Sequence, residues 1–161
     1  MKNLTKVLSL NPCQEAVTFI KQCDSFKQAW ETCPRGDWML WLASMLNVNI
    51  RTLTLAKGLC AQTVIHLMAD QRSVYAVEAA ILFGKGQLSL ARLNSAARAA
   101  YTAYAAYAAY AARAAYAAAN TAANAAYASY VAKLEDQLKT AEICREILTT
   151  SVYWHINRLH I

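Results

Sequence analysis

A low-complexity tract of alanine and tyrosine covers residues 96–132 and limits what this chain can fold into. It holds 22 alanines and 7 tyrosines in 37 positions. Alanine is the best helix former, whereas glycine and proline, which interrupt helices, occur only 4 and 2 times in all 161 residues. The chain is therefore predicted to be all-α: a helical bundle with one long Ala/Tyr-rich helix.

The length of that helix constrains the shape of the molecule. A helix of forty residues spans roughly 60 Å, whereas a compact domain of this size is only about 40 Å wide. Either the molecule is elongated, with the helix projecting or paired in a helical hairpin, or the helix is broken. Alanine on a packed face lets another helix approach closely, from the same chain or from a second copy. We expect one all-helical domain, 1–161, with short helices in 1–86 and the long Ala-rich part in 88–150.

Apolar spacing, caps and helix breakers predict four helices before the tract. Gly84 and Gly86 end the fourth of them, and Ser89 caps the helix that follows. Asp37 is expected to cap the second, which places Trp38 and Trp41 on an apolar stripe, in the core rather than as exposed anchors. The four predicted helices are Cys13–Trp30, Trp38–Leu46, Leu53–Met68 and Val74–Phe83.

An apolar stripe follows the tract. If the long helix continued unchanged, this stripe would fall on the side that carries its polar residues. We therefore expect a bend, a turn or a change of packing partner around Tyr127–Val131. The stripe consists of Val131, Leu134, Leu138, Ala141, Cys144 and Leu148.

Nearly all of the net charge of +6 lies in one segment. Between Glu78 and Glu135 there is no acidic residue, but there are five basic ones. Such a segment attracts nucleic acid, anionic lipid or an acidic protein, or it serves only to keep an Ala-rich helix soluble. Tyrosines at three-residue spacing wind around a helix, whereas the arginines and most polar residues gather on one side. The predicted partner-binding residues are Arg92, Arg98, Thr102, Tyr110, Arg113, Tyr116, Asn120 and Asn124.

Residue patterns typical of catalytic, cofactor or metal sites are missing from the sequence. No phosphate-binding loop, dinucleotide-binding or common hydrolase motif occurs, and His66, His155 and His160 lack the spacing of a zinc site. We therefore expect no catalytic residue, no metal and no cofactor, and a binding protein rather than an enzyme.

The remaining sequence signals bear on location. The five cysteines are odd in number and include no CxxC pair, which predicts reduced thiols in a cytoplasmic protein. The longest uncharged stretch, Ala114–Ala132, is too poor in large aliphatic residues to cross a membrane.

Several sequence blocks, in this order, resemble an uncharacterised group of bacterial and phage proteins described as immunity proteins. The first is AWETCPRGDWMLWL, Ala29–Leu42, followed by RTLTLAKGLCAQTVIHL and DQRSVYAVEAAILFGKGQLSLARL. The Ala-Ala-Tyr tract and AEICREIL complete the series, so the resemblance covers roughly Trp30 to Leu148. It implies an all-helical protein that binds and neutralises a protein toxin.

Two functional hypotheses follow. The first is a non-enzymatic protein-binding module, immunity-like or a phage factor, that acts on a host or toxin protein. The second is a nucleic-acid-binding protein that uses the basic face of the Ala/Tyr-rich helix, with Tyr110 and Tyr116 stacking on bases. A homo-oligomer formed through the Ala-rich helix is compatible with both.

Overall fold

The computed structural model describes residues 2–68, 70–101 and 122–159, and these are helical or in turns and loops, with no strand. The all-α helical bundle predicted from the sequence is confirmed. A short 3₁₀ turn, Ile65–Leu67, follows the fifth helix. The helices are α1 (Lys2–Ser9), α2 (Gln14–Lys21), α3 (Phe26–Thr32), α4 (Gly36–Met45), α5 (Ile50–Gln62), α6 (Gln71–Gly84), α7 (residues 90–101) and α8 (Ala122–Arg158).

The C-terminal half of α8 forms the centre of the core. Five of its residues are completely buried, and their spacing of three or four positions places them on one side of the helix. Helices α1 to α5 all contribute buried side chains to the same cluster. The five residues of α8 are Ala141, Cys144, Leu148, Val152 and Ile156.

Side-chain hydrogen bonds join the first helices of the chain to α8. The indole Nε1 of Trp30 donates to Thr149 Oγ1 at 2.8 Å. The Lys6 ammonium donates to the carbonyl of Ile156 at 3.0 Å, near the end of α8 where helix carbonyls lack partners within the helix. Residues more than a hundred positions apart are thereby fixed against each other.

Helix α6 packs on α5, and α5 in turn packs on α8. The Arg51 guanidinium, at the start of α5, donates to the carbonyl of Phe83, near the end of α6, at 2.5 Å. It also lies over the Phe83 ring, 4.4 Å from its centroid. The beginning of α5 is thus joined to the end of α6, as in two antiparallel neighbouring helices.

The end of α6 and the start of α7 agree with the prediction. The start of α6, which was predicted at Val74, is capped by Asp70, whose carboxylate accepts from the Arg72 backbone N–H at 2.8 Å. Past the end of α6, Gly86 has a φ of +79°, a conformation that favours glycine. The Ser89 hydroxyl accepts from the Arg92 backbone N–H at 3.4 Å, where α7 begins.

Several predicted helix boundaries are wrong, and α5 and α6 each begin three residues earlier than expected. The helix expected over Cys13–Trp30 is two helices, because the Ser25 hydroxyl caps a new start by accepting from the Gln28 N–H at 3.1 Å. Helix α4 begins before Asp37, whose carboxylate binds Arg35 instead of capping. Helix α5 ends at Gln62, not at Met68, and the 3₁₀ turn follows it.

Helix α8 is continuous through residues 127–131, so the turn expected there is wrong, whereas the expected bend or change of packing partner stays a prediction. Its 37 residues make it about 55 Å long. The predicted stripe is buried at Ala141, Cys144 and Leu148, but Leu134 and Leu138 are exposed. The other helices therefore cover this stripe over only part of its length.

Candidate functional site

The predicted basic face is described in the structure only in part. Arg92 and Arg98 are exposed residues of α7, and neither forms an ion pair with a described residue. They are six positions apart, which separates them by about 120° around the helix. Asn124 is a residue of α8. Five further predicted residues, Thr102, Tyr110, Arg113, Tyr116 and Asn120, lie outside the described residues, so the face as a whole stays a prediction.

The apolar side chains of α7 are not packed into the core. Leu90 and Ala97 are exposed, and Leu93 and Ala100 are half-buried. No residue among 90–101 belongs to the buried core. Helix α7 thus presents both apolar and basic side chains to solvent.

A cleft with an apolar interior lies between the first four helices. Its inner part, here called the inner pocket, has a volume of about 50 Å³ and an entirely apolar lining. Trp38 and Trp41 form part of the wall and are half-buried, so they are neither fully in the core nor free anchors. The other lining residues are Leu4, Val7, Pro12, Ala16, Phe19, Ile20, Phe26, Ala29, Trp30, Cys33, Met39 and Leu42.

An outer groove of about 320 Å³ adjoins the inner pocket and shares four lining residues with it. The shared residues are Pro12, Ala16, Trp38 and Trp41. The outer groove adds Cys13 and three charged side chains, Glu15, Arg35 and Asp37. The cleft therefore combines an apolar interior with a charged entrance.

Arg35 and Asp37 neutralise each other at this entrance. The guanidinium donates to both carboxylate oxygens, from Nε at 2.8 Å and from Nη2 at 2.6 Å. It also lies over the Trp38 ring, 4.8 Å from the centroid. The hydrogen bonds from Arg35 hold the pKa of Asp37 below its ordinary value. The bidentate pair fixes the Arg35 side chain against Trp38, which gives this wall of the groove a defined shape.

Glu15 is the remaining charge of the outer groove. Its pKa is lowered by a backbone hydrogen bond at the start of α2 and by the Cys13 thiol, with a smaller contribution from Arg35. Because Arg35 is already paired with Asp37, the ionised Glu15 gives the groove a net negative charge.

Three cysteines, Cys33, Cys60 and Cys144, are buried where α8 meets the other helices, as expected of thiols packed as small hydrophobic groups. The Sγ atoms of Cys60 and Cys144 are 3.9 Å apart, and Cys144 Sγ also donates to the carbonyl of Gly36 at 3.6 Å. The neighbouring Cys60 thiol, together with burial, raises the pKa of Cys144. Burial likewise raises the pKa of Cys33, whose carbonyl accepts from Arg145 at 2.9 Å. Cys33 and Cys144 are thereby held in the protonated form.

Sequence reasoning missed the cleft. Helix α1 was not predicted, and α2 and α3 were predicted as one helix. The walls that these three helices contribute to the cleft were therefore not predicted. The signal that could have found it is the Cys-Pro-Arg-Gly-Asp-Trp segment, which places Arg35, Asp37 and Trp38 at the start of a helix.

Comparison with protein-family models, with curated proteins and with solved structures gave no match. The immunity-like resemblance of the sequence therefore stays a prediction.

Two further findings concern the described ranges. Among residues 2–68, 70–101 and 122–159, no three side chains of the metal-binding types are grouped closely enough to hold an ion. Within the same ranges, no helix combines the length and the apolar character needed to cross a lipid bilayer.

Proposed function

We propose that this chain is a non-enzymatic protein-binding module whose cleft receives an apolar side chain of its partner. The observation that supports the proposal is the inner pocket, which is apolar throughout and opens into the outer groove with its charged entrance. Binding energy at protein interfaces is concentrated where an anchor side chain fills a water-free pocket surrounded by polar groups. The cleft offers that combination.

The inner pocket by itself is too small for a whole metabolite but fits the end of one side chain. Small-molecule sites usually enclose about 300–1,000 Å³, and a cavity of about 150 Å³ is needed to hold benzene. The inner pocket has about 50 Å³, which is room for the end of one aliphatic side chain. The outer groove, with about 320 Å³, has room for the neighbouring part of the same partner.

We propose a host or toxin protein as that partner, in line with the immunity-like resemblance of the sequence. We also propose a cytoplasmic location, because the five cysteines are free thiols in the structure.

Cys13 provides a test that leaves the folded core unchanged, because its thiol is exposed and lines the outer groove. Partners are captured from a lysate of the source organism with untreated protein and with protein alkylated by a bulky maleimide. We expect a partner that is recovered by the untreated protein and lost after alkylation. The matched control is Cys13→Ser treated in the same way, which should retain the partner. Recovery that is unaffected by alkylation of Cys13 would place the interaction elsewhere and contradict the proposal.

A nucleic-acid-binding function is the second candidate, and the exposure of Arg92 and Arg98 favours it. Each phosphate contact contributes about −0.9 to the dependence of log affinity on log salt for duplex DNA. Gel shifts with DNA and RNA at two salt concentrations should then show binding at low salt. Replacing both arginines with glutamate should weaken that binding and reduce the salt slope by roughly two. Absence of a shift at low salt would exclude this candidate.

A further inference from the structure

The apolar stripe of α8 continues beyond the residues that the other helices cover. Leu134 precedes the buried Ala141 and Leu148 by seven and fourteen positions, so the three share one side of the helix. Leu138, four positions after Leu134, lies on that side as well. Yet Leu134 is 41% exposed and Leu138 is 51% exposed. The side of α8 that carries Leu134 and Leu138 is therefore an apolar surface exposed to solvent.

Helix α7 has an exposed apolar side of similar spacing. Leu90, Ala97 and Tyr101 follow one another at intervals of seven and four, which places them on one side of the helix. All three are exposed, Leu90 to 54% and Tyr101 to 74%. Arg98 lies three positions before Tyr101, next to this side.

The two apolar sides have complementary charges along their edges. On α8, the exposed Glu135 and Glu142 are seven positions apart, three before and four after Leu138. On α7 the only ionisable groups besides Tyr101 are Arg92 and Arg98, and Arg98 is the one that borders the apolar side. An α7 helix packed on this part of an α8 helix would bring arginine to glutamate.

We propose that the chain forms a symmetric homodimer in which α7 of one copy covers Leu134 and Leu138 of the other. A two-fold axis repeats the contact, so both exposed sides of each copy are buried together. Charge argues against pairing two α8 helices instead. Two α8 helices paired antiparallel through Leu134 and Leu138 would set the edge that carries Glu135 and Glu142 against the same edge of the second copy, and like charges repel.

The mass of the full-length protein in solution tests the dimer. Light scattering after size-exclusion chromatography should give twice 17.8 kDa at high concentration. Leu134→Glu combined with Leu138→Glu should give the monomer mass with an unchanged helical circular dichroism spectrum, because both side chains are exposed. Tyr75→Glu is the matched control, since Tyr75 is exposed on α6, and it should leave the dimer intact. A wild-type mass of 17.8 kDa at every concentration, as when α7 covers α8 of its own chain, would overturn the proposal.

Charge reversal identifies which helices meet. Arg98→Glu alone, and Glu135→Arg with Glu142→Arg, should each raise the dimer dissociation constant by roughly tenfold. Combining the three changes in one chain should recover most of the loss, because each α7 would again face charges of opposite sign. A dimer unaffected by Arg98→Glu would indicate contacts that exclude α7. Failure of the combined variant to recover would likewise overturn the pairing of α7 with α8.

Discussion

Gly36, the first residue of α4, lies directly against Thr140 of α8. A Cβ atom added at Gly36 would be 2.5 Å from Thr140 Oγ1 and 2.6 Å from the Thr140 carbonyl carbon. Real Cβ atoms do not approach other heavy atoms so closely, so only glycine allows this contact. The same place in the fold holds the Cys144 thiol, which donates to the Gly36 carbonyl.

Gly36→Ala should therefore destabilise the protein, by about 1–3 kcal/mol, because α4 and α8 would have to separate. The free energy of unfolding from urea denaturation measures the effect. Ser44→Ala, at an exposed position of the same helix, is the control and should change stability by less than about 0.5 kcal/mol. Equal stabilities of the two variants would show that α4 is free to shift.

Loss of the hydrogen bond between Trp30 and Thr149 should lower the free energy of unfolding. Thr149→Val keeps the shape of the side chain but leaves the indole N–H of the buried Trp30 without its acceptor. A buried donor without a partner costs about 1–3 kcal/mol. Thr150→Val tests the same chemical change at the exposed neighbouring position, where we expect little effect. Denaturation of both variants decides whether the hydrogen bond, rather than the methyl group, matters.

Asp70 should titrate well below an ordinary carboxyl group. The Arg72 guanidinium donates to its two oxygens at 3.0 and 2.7 Å, and with the Arg72 backbone N–H this lowers the pKa of Asp70 to about 2. Since the folded-state pKa is depressed, the stabilisation is present above the unfolded pKa of about 3.9 and is lost as the pH falls toward 2. Arg72→Gln should raise the pKa of Asp70 toward 3.9, measured by carboxyl NMR. Lys57→Gln, which removes an exposed charge on α5, is the control, and in it the pKa of Asp70 should stay near the wild-type value.

The five thiols should react in the order of their exposure. Cys13 is exposed, Cys23 is partly exposed, and Cys33, Cys60 and Cys144 are buried. Burial also raises the pKa of Cys33, and the neighbouring Cys60 thiol together with burial raises that of Cys144, which reduces the thiolate fraction of both. A time course of maleimide labelling, followed by mass spectrometry of peptides, should therefore modify Cys13 first and the three buried thiols only on unfolding. Early labelling of Cys144 in the folded protein would mean that α8 separates from α5.

The sequence predicted structure well where local chemistry decides it. Ser89 at the start of α7 and Gly86 beyond the end of α6 are recognisable without the rest of the fold, because a cap and a left-handed residue act within a few positions. The break between α2 and α3 also has a local cause, the Ser25 cap. It was not predicted because the apolar spacing over Cys13–Trp30 continues across the break and favoured one helix.

Features that depend on distant residues were not predictable in the same way. Leu134 and Leu148 look alike in the periodic pattern, yet one is exposed and the other is completely buried. The difference depends on where α4 and α5 end against α8, which no local pattern encodes. The cleft depends in the same way on how four short helices meet.

The place of α8 in the chain has a consequence for synthesis. Residues 141–156 supply five completely buried side chains to a core whose other members lie between residues 7 and 60. A ribosome therefore exposes the apolar sides of the early helices long before the helix that covers them emerges. Until then those helices lack a centre to pack on, so productive folding has to follow translation of residues 141–156. The nascent chain is thus expected to be a substrate for chaperones, and truncation within α8 should yield an aggregating product rather than a smaller folded domain.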